Sequence, residues 1–140
     1  MRILLTGAAG FIGARVARRL LDAGHAVTGL DDLNDYYSPA LKRARLKTLE
    51  GDAAFRLEVG DVADAACVNA TVDAFRPTHV IHLAAQAGAG ASITHPARTV
   101  RSNLLGFANI LEACRQRDMQ HLVYASSSSV YGLDRGLPFS

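Results

Sequence analysis

The sequence predicts an α/β fold built on a doubly wound parallel sheet, and three observations predict it. Short apolar runs alternate with segments of helical period, the order that builds parallel βαβ units with right-handed crossovers. The first run passes into a helix through glycines at 7, 10 and 13. The second run closes on an acid, Asp31.

Taken in order, residues 2–6 read as the first strand and the glycine turn leads into a helix whose apolar stripe is Ile12, Val16 and Leu20. Residues 26–30 form the second strand. The turn-rich loop Asn34-Asp35-Tyr36-Tyr37-Ser38-Pro39 comes next, with Ser38 suited to cap and Pro39 to open a short helix from Ala40 to about Leu49. Residues 54–59 are the third strand, and Ala65, Val68, Val72 and Phe75 recur at helical steps behind it. Residues 79–84 are the fourth strand, Val100, Leu104, Phe107, Leu111 and Cys114 mark the next helix stripe, and residues 121–126 are the fifth strand. Gly132, Gly136 and Pro138 then break any further pattern, so the sheet is expected to stop after about the fifth strand. Residues 1–140 read as one incomplete domain.

Composition bounds the function. At 140 residues, 49% hydrophobic and 20% charged, the chain can bury a real core. Fifteen basic against thirteen acidic side chains leave +2, too little to indicate a nucleic acid or a membrane surface as partner. The cluster Lys42, Arg43, Arg45 and Lys47 reads as a solvated helix face. Cys67 and Cys114 stand singly inside helical patterns, which favours packing over metal ligation or a disulfide. No metal site is expected. Without a charged leader or an apolar run of membrane-spanning length, a cytoplasmic protein is expected.

The glycine turn carries the first chemistry. Gly7 lets the chain leave the strand sharply, Gly10 lets backbone N–H groups approach a pyrophosphate, and Gly13 lets the helix pack on the sheet. The helix N-terminus then faces the anion with unpaired N–H groups and a positive dipole end. Asp31 lies eighteen positions after Gly13, close to the roughly 20 expected of a carboxylate that accepts from both ribose hydroxyls. A carboxylate there repels a 2′-phosphate, so NAD is expected rather than NADP.

Asp61, in Gly60-Asp61-Val62 at the carboxyl end of the third strand, suits two roles: acceptor for the adenine amino group, or N-cap of a helix beginning near Ala63. Leu83, Ala84 and Ala85 end the fourth strand in residues that let backbone lie against the cofactor. His82 within that run is read as a core histidine rather than a base, and Asn103 as a structural bridge to a strand end rather than a catalyst. Four hydroxyls, Ser126 to Ser129, stand at the carboxyl edge of the fifth strand, where this architecture places ligands.

These residues resemble the extended short-chain dehydrogenase/reductases, specifically the NAD-dependent nucleotide-sugar epimerases and dehydratases, whose domain is a Rossmann fold. The matching pieces are Thr6 to Gly13, Asp31, Gly60-Asp61-Val62, His82 to Ala85, Asn103 to Gly106, and Ser126 to Gly132. Within that family, Asp32 to Tyr37, Leu41 to Leu46 and His121 to Gly132 look like the branch that epimerises UDP-glucuronate at C4. The resemblance implies cofactor contacts from Gly7, Ala9, Gly10, Phe11, Ile12, Gly13, Asp31, Asp32, Asn34, Asp61, Val62, Leu83, Ala84, Ala85, Asn103 and Ala125. It implies a catalytic hydroxyl at Ser127, with Ser127, Ser128 and Ser129 toward the sugar.

The activity that the resemblance implies is oxidation of a UDP-sugar at C4, of the UDP-glucuronate or UDP-glucose type, then return of hydride to the other face, by an enzyme that is a homodimer at full length. A 4,6-dehydratase carries Asp and Glu where this chain has Ser128 and Ser129, which favours epimerisation over dehydration. A dehydratase or reductase, or an NAD-binding module without turnover, are the alternatives. Two departures stand out. Ala89-Gly90-Ala91 replace a segment that normally supplies a cation near the substrate, and no Tyr-x-x-x-Lys pair occurs, since Arg135 comes four positions after Tyr131. The 140 residues are therefore expected to be the cofactor half of an enzyme, lacking its substrate-binding region, with little turnover alone and exposed apolar surface that invites self-association.

Overall fold

β1 (Arg2–Thr6) is sealed on both faces, with Ile3, Leu4 and Leu5 at most 2% exposed, because it lies in the middle of a five-stranded parallel sheet of order β3-β2-β1-β4-β5. The computed structural model describes residues 1–133, 136 and 138, without the side chains of Ala89, Ala91 and Ser129. Alternation along β1 sends Leu4 to one face and Leu5 to the other, and each anchors its own core. Leu4 joins Leu30, Val68, Val72, Val80 and Ile110 under α3 (Ala65–Phe75) and α6 (Gly106–Gln116). Leu5 joins Ala17, Leu21, Val27, Leu46 and Leu49 under α1 (Phe11–Asp22) and α2 (Pro39–Lys47).

β2 (Ala26–Asp31) and β3 (Phe55–Val59) match the expected strands to within a residue. β4 (His79–His82) and β5 (His121–Tyr124) each end two residues early. At the end of β4 Thr6 takes over from the ladder: the Leu83 N–H is shared between the Thr6 carbonyl at 3.3 Å and Thr6 Oγ1 at 3.2 Å, and the Ala84 N–H goes to Thr6 Oγ1 at 3.1 Å.

Three helix readings are corrected. In α1 the buried residues are Gly13, Ala14, Ala17 and Leu21, while Ile12 is exposed: small side chains face the sheet so that the helix can approach it, and the buried stripe is offset by one position. The helix expected over residues 100–114 is present but not uniform: α5 (Pro96–Val100) runs through a π-helical turn, Arg101–Leu105, into α6, and a separate short helix, α4 (Ala89–Thr94), precedes it. The wide turn inserts an extra residue and rotates the helix beyond it, so Gly106, Ile110 and Ala113 are buried while Val100, Leu104 and Leu111 are exposed. Finally, α3 starts at Ala65, and its cap is Asp64, which accepts from Ala66 and Cys67 N–H, not Asp61. Ser38 does occupy the cap position of α2, with Pro39 after it, but makes no side-chain capping bond. Cys67 and Cys114 are free and half-buried against the first core, and burial raises both thiol pKa values.

Candidate functional site

The glycine turn is built by close approach. Gly7 adopts φ +70°, and a Cβ there would stand 2.8 Å from the Ala84 nitrogen, so only glycine lets β1 turn beside the end of β4. A Cβ on Gly13 would collide with the Gly7 carbonyl. Gly7 N–H donates to Leu30 carbonyl at 2.8 Å and Gly10 N–H to Gly7 carbonyl at 3.0 Å, which fixes the loop between β1 and α1. In an α-helix the first N–H groups have no partner within the helix, so those opening α1 are directed out of its N-terminus.

Asp31 is the strut beside this loop. At the carboxyl end of β2 it is 7% exposed, its Oδ2 accepting from Ala9 N–H at 3.0 Å and its Oδ1 from Leu33 N–H at 2.9 Å. The carboxylate thus ties the glycine loop to the start of the next one. Leu33 itself adopts φ +51°, which turns Asp32 and Asn34 toward each other: Asn34 Nδ2 donates to Asp32 Oδ1 at 2.8 Å.

The reading of Lys42 as part of a solvated basic face is corrected. Lys42 is 4% exposed, its Nζ 3.5 Å from Asp31 Oδ1 and 3.8 Å from Asp32 Oδ1, and it donates to Asn34 Oδ1 at 3.2 Å. The signal was present in the spacing, since Lys42, Leu46 and Leu49 recur at four and three and share the buried stripe. Arg45 reaches the same region, donating to the Ala9 carbonyl at 3.4 Å and to Tyr37 Oη at 3.3 Å. Arg43 and Lys47 are exposed, as expected of that cluster.

A crevice opens at the carboxyl edge of the sheet, and Gly7, Gly10, Asp31, Asp32, Asn34, Asp61, Val62, Leu83, Ala84 and Ala85 line it. Those are ten of the residues expected to hold a cofactor. Tyr36, Tyr37, Lys42, Gln86 and Ser102 line it too, and sequence reasoning had assigned none of them there. Tyr36 crosses the crevice: a Cβ on Gly88, on the opposite bank, would meet its Oη at 2.5 Å. Asp61 accepts from Ala63 N–H at 2.8 Å and pairs with Arg101 at 2.9 Å.

The remaining expected residues stand elsewhere. Phe11 and Ile12 are largely exposed, with Phe11 beside the Arg45 guanidinium; only their backbone, at the start of α1, faces the cradle. Ala9 and Gly13 are buried beneath the loop. Asn103 holds Gln86 from both sides, its Oδ1 accepting from Gln86 N–H at 2.7 Å and its Nδ2 donating to Gln86 carbonyl at 3.1 Å. Ala125 N–H donates to His82 carbonyl at 3.2 Å, and Ser127 and Ser128 come after it at the end of β5, exposed and outside the crevice lining. The side chain of Ser129 lies outside the described residues.

His82 is the core histidine expected. Buried, it stacks on Phe107 and has Nδ1 2.7 Å from Thr6 Oγ1, and burial pushes its pKa down to about 4. Because the Thr6 oxygen accepts two N–H bonds, its hydroxyl proton goes to His82 Nδ1. Among the described residues no group of three His, Cys, Asp or Glu side chains could hold a metal ion, and no helix is long and apolar enough to cross a membrane.

A dinucleotide fits these residues: a cradle that a Cβ would fill, outward N–H groups for a pyrophosphate, and an acid at the end of the adjacent strand. Comparison with known proteins agrees. The Epimerase family model, described as the NAD dependent epimerase/dehydratase family, matches residues 3–140. UDP-glucuronate 4-epimerase 3 of Arabidopsis thaliana is 49% identical over 139 residues, 99% of this chain and 32% of that protein. Protein CapI of Staphylococcus aureus is 46% identical over 142 residues, 100% of this chain and 42% of that protein. Among solved structures, UDP-glucose 4-epimerase of Thermus thermophilus, in complex with NAD, is 38% identical with a TM-score of 0.78 over 91% of this chain and 38% of that one. The Bifidobacterium longum UDP-glucose 4-epimerase, in complex with NAD+ and UDP, has a TM-score of 0.84 at 28% identity, over 99% of this chain and 41% of that one. The chain spans about a third of the length of the plant relative it matches.

Proposed function

The chain belongs to the NAD dependent epimerase/dehydratase family, and from that membership we propose that it is the cofactor-binding part of a UDP-sugar 4-epimerase holding NAD in the crevice between Gly7 and Asp31. The single observation that carries this is the position of Asp31, a buried carboxylate at the carboxyl end of β2 fixed by Ala9 and Leu33 N–H groups beside the glycine cradle. Two anchored lone pairs leave the others to accept ribose hydroxyls, and the negative charge disfavours a 2′-phosphate. N–H groups opening α1 hold the pyrophosphate. Asp61 accepts from the adenine amino group, and Leu83, Ala84 and Ala85 flank the ribose and pyrophosphate.

When bound, NAD supplies the acceptor and then the donor of the hydride at sugar C4. Ser127 orients that hydroxyl from the end of β5, with Ser128 and Ser129 beside it. His82, neutral in the core, moves no proton; it holds Thr6, and Thr6 holds the β4 turn. The UDP-sugar is of the glucuronate or glucose type, the relatives being epimerases of both. A full-length cytoplasmic homodimer completes the proposal, with the base and the substrate-binding region supplied by sequence outside residues 1–140.

Titration calorimetry with NAD and NADP tests the cofactor reading on the chain as it stands. NAD should bind more tightly than NADP, and Asp31→Ser should weaken NAD and narrow the difference. Equal affinity for the two coenzymes, or an Asp31→Ser chain that binds NAD as before, would overturn it. For the activity, product analysis of the longer protein on UDP-glucuronate and UDP-glucose should give the C4 epimer; a stable 4-keto-6-deoxy sugar would mean a dehydratase.

A further inference from the structure

Asp61 has both carboxylate oxygens engaged. Its Oδ1 accepts from Ala63 N–H at 2.8 Å, and its Oδ2 accepts from Arg101 Nε at 3.0 Å, with Arg101 Nη2 2.9 Å from the same oxygen. Arg101 opens the π-helical turn Arg101–Leu105, and its neighbour Ser102 lines the crevice together with Asp61 and Val62. Turns of this kind are uncommon and concentrate at functional sites. The cofactor reading gives the Asp61 oxygen to adenine and leaves the guanidinium sharing that oxygen without a part.

Resting on that placement of the purine, we propose that Arg101 is a second base-reading residue, and that the Asp61–Arg101 pair accepts 6-oxo purines as well as 6-amino purines. A carboxylate only accepts and a guanidinium only donates, so a carboxylate alone welcomes an amino group at C6 and repels an oxygen there. Asp61 takes two of the five guanidinium donors, at Nε and Nη2. The pair therefore presents an acceptor and a donor side by side.

Either purine edge then finds its complement. A 6-amino purine donates to Asp61 and accepts from Arg101 at a ring nitrogen. A 6-oxo purine accepts from Arg101 at O6, the contact the planar guanidinium makes with guanine, and donates its N1–H to Asp61. The Arg101 side chain is 57% exposed and that of Asp61 32%, and a pair so placed adds little to folding. Its recognition role can thus be removed without losing the fold.

The test is calorimetry with NAD and with nicotinamide hypoxanthine dinucleotide on the wild-type chain, Arg101→Gln and Arg101→Lys, with thermal melts to verify folding. The wild type should bind the two within about threefold, whereas Arg101→Gln, which removes a donor from either base, should weaken the hypoxanthine form roughly tenfold more than it weakens NAD, because O6 then also faces an unshielded carboxylate. Arg101→Lys should recover part of that loss. Wild-type preference for NAD of tenfold or more, or a ratio that Arg101→Gln leaves unchanged, would overturn the inference while the cofactor reading stands. Failure of both dinucleotides to bind the wild type would overturn the two together.

Discussion

Lys42 Nζ lies 3.5 Å from Asp31 Oδ1 with both side chains almost closed to solvent, so the acid that marks the candidate site is matched by a cation from a different element, α2. Lys42→Met removes that cation from beside Asp31 and Asp32 and leaves Asn34 Oδ1 with one of its two donors, the Tyr36 N–H. Loss of one partner of a buried pair costs about 3 kcal/mol or more. The two backbone N–H bonds to Asp31 stay, which sets the expected loss at about 3 kcal/mol, read as a lower denaturant midpoint in urea unfolding. The double variant with Asp31→Asn should recover part of it, because the uncompensated charge is then gone; no recovery would mean that the cost is packing of the lysine stem.

Gly13→Ala should cost more than any cavity-neutral change in α1. The added Cβ meets the Gly7 carbonyl, whose carbon would be 2.8 Å away, and neither backbone segment is free to move because the Gly7 loop is bonded to Leu30. Overpacking of this kind costs about 1–3 kcal/mol and the rigid neighbour places it at the upper end. The same shift displaces the start of α1 from Gly10, so affinity for NAD in calorimetry should fall with stability. A Gly13→Ala chain as stable as the parent would refute the close approach.

How much of this was legible in the sequence differs by element. The glycine cradle and Asp31 were, since glycines at 7, 10 and 13 directly follow an apolar strand and Asp31 directly ends the next one. Lys42 was hidden behind its charge: the residue type says solvent, and the step to Leu46 and Leu49 says core. In α1 the large apolar residues drew attention to Ile12, but Gly13, Ala14 and Ala17 face the sheet because the helix must come close to it. The π-helical turn before α6 could not be read at all from periodicity, because it changes the period itself. The cap of α3 was assigned to Asp61, and the structure moves it three residues on to Asp64, because the chain turns once more after β3 before the helix begins.

Acid should destabilise the fold through His82. Burial holds its folded pKa at about 4, below the ordinary value of 6.5 that the unfolded chain shows. Above pH 6.5 both states are neutral there and the group is silent. As pH falls below 6.5 the unfolded state takes up a proton that the folded state refuses, so stability is lost progressively down to about pH 4, by roughly 3 kcal/mol in all. His82→Asn keeps a polar group near Thr6 and does not titrate, so denaturation midpoints measured between about pH 7 and 4 should flatten. An unchanged slope would assign the acid limb to other groups.

Asn103 gives the last prediction, through the backbone it holds. Its amide closes on both the N–H and the carbonyl of Gln86, and the crevice wall from Leu83 to Ala87 depends on where that peptide sits. Asn103→Leu strips both partners from a half-buried peptide group, at about 1–3 kcal/mol for each group left unpaired. Asn103→Asp retains the acceptor for Gln86 N–H but sets a carboxylate against the Gln86 carbonyl, and should fall between the wild type and leucine. Amide hydrogen exchange at Gln86 reads this directly: protection should drop in the order wild type, aspartate, leucine, with the amides of β1 unaffected because their ladder bonds to β2 and β4 do not pass through Asn103. Equal protection in all three proteins would show that Asn103 does not hold the loop.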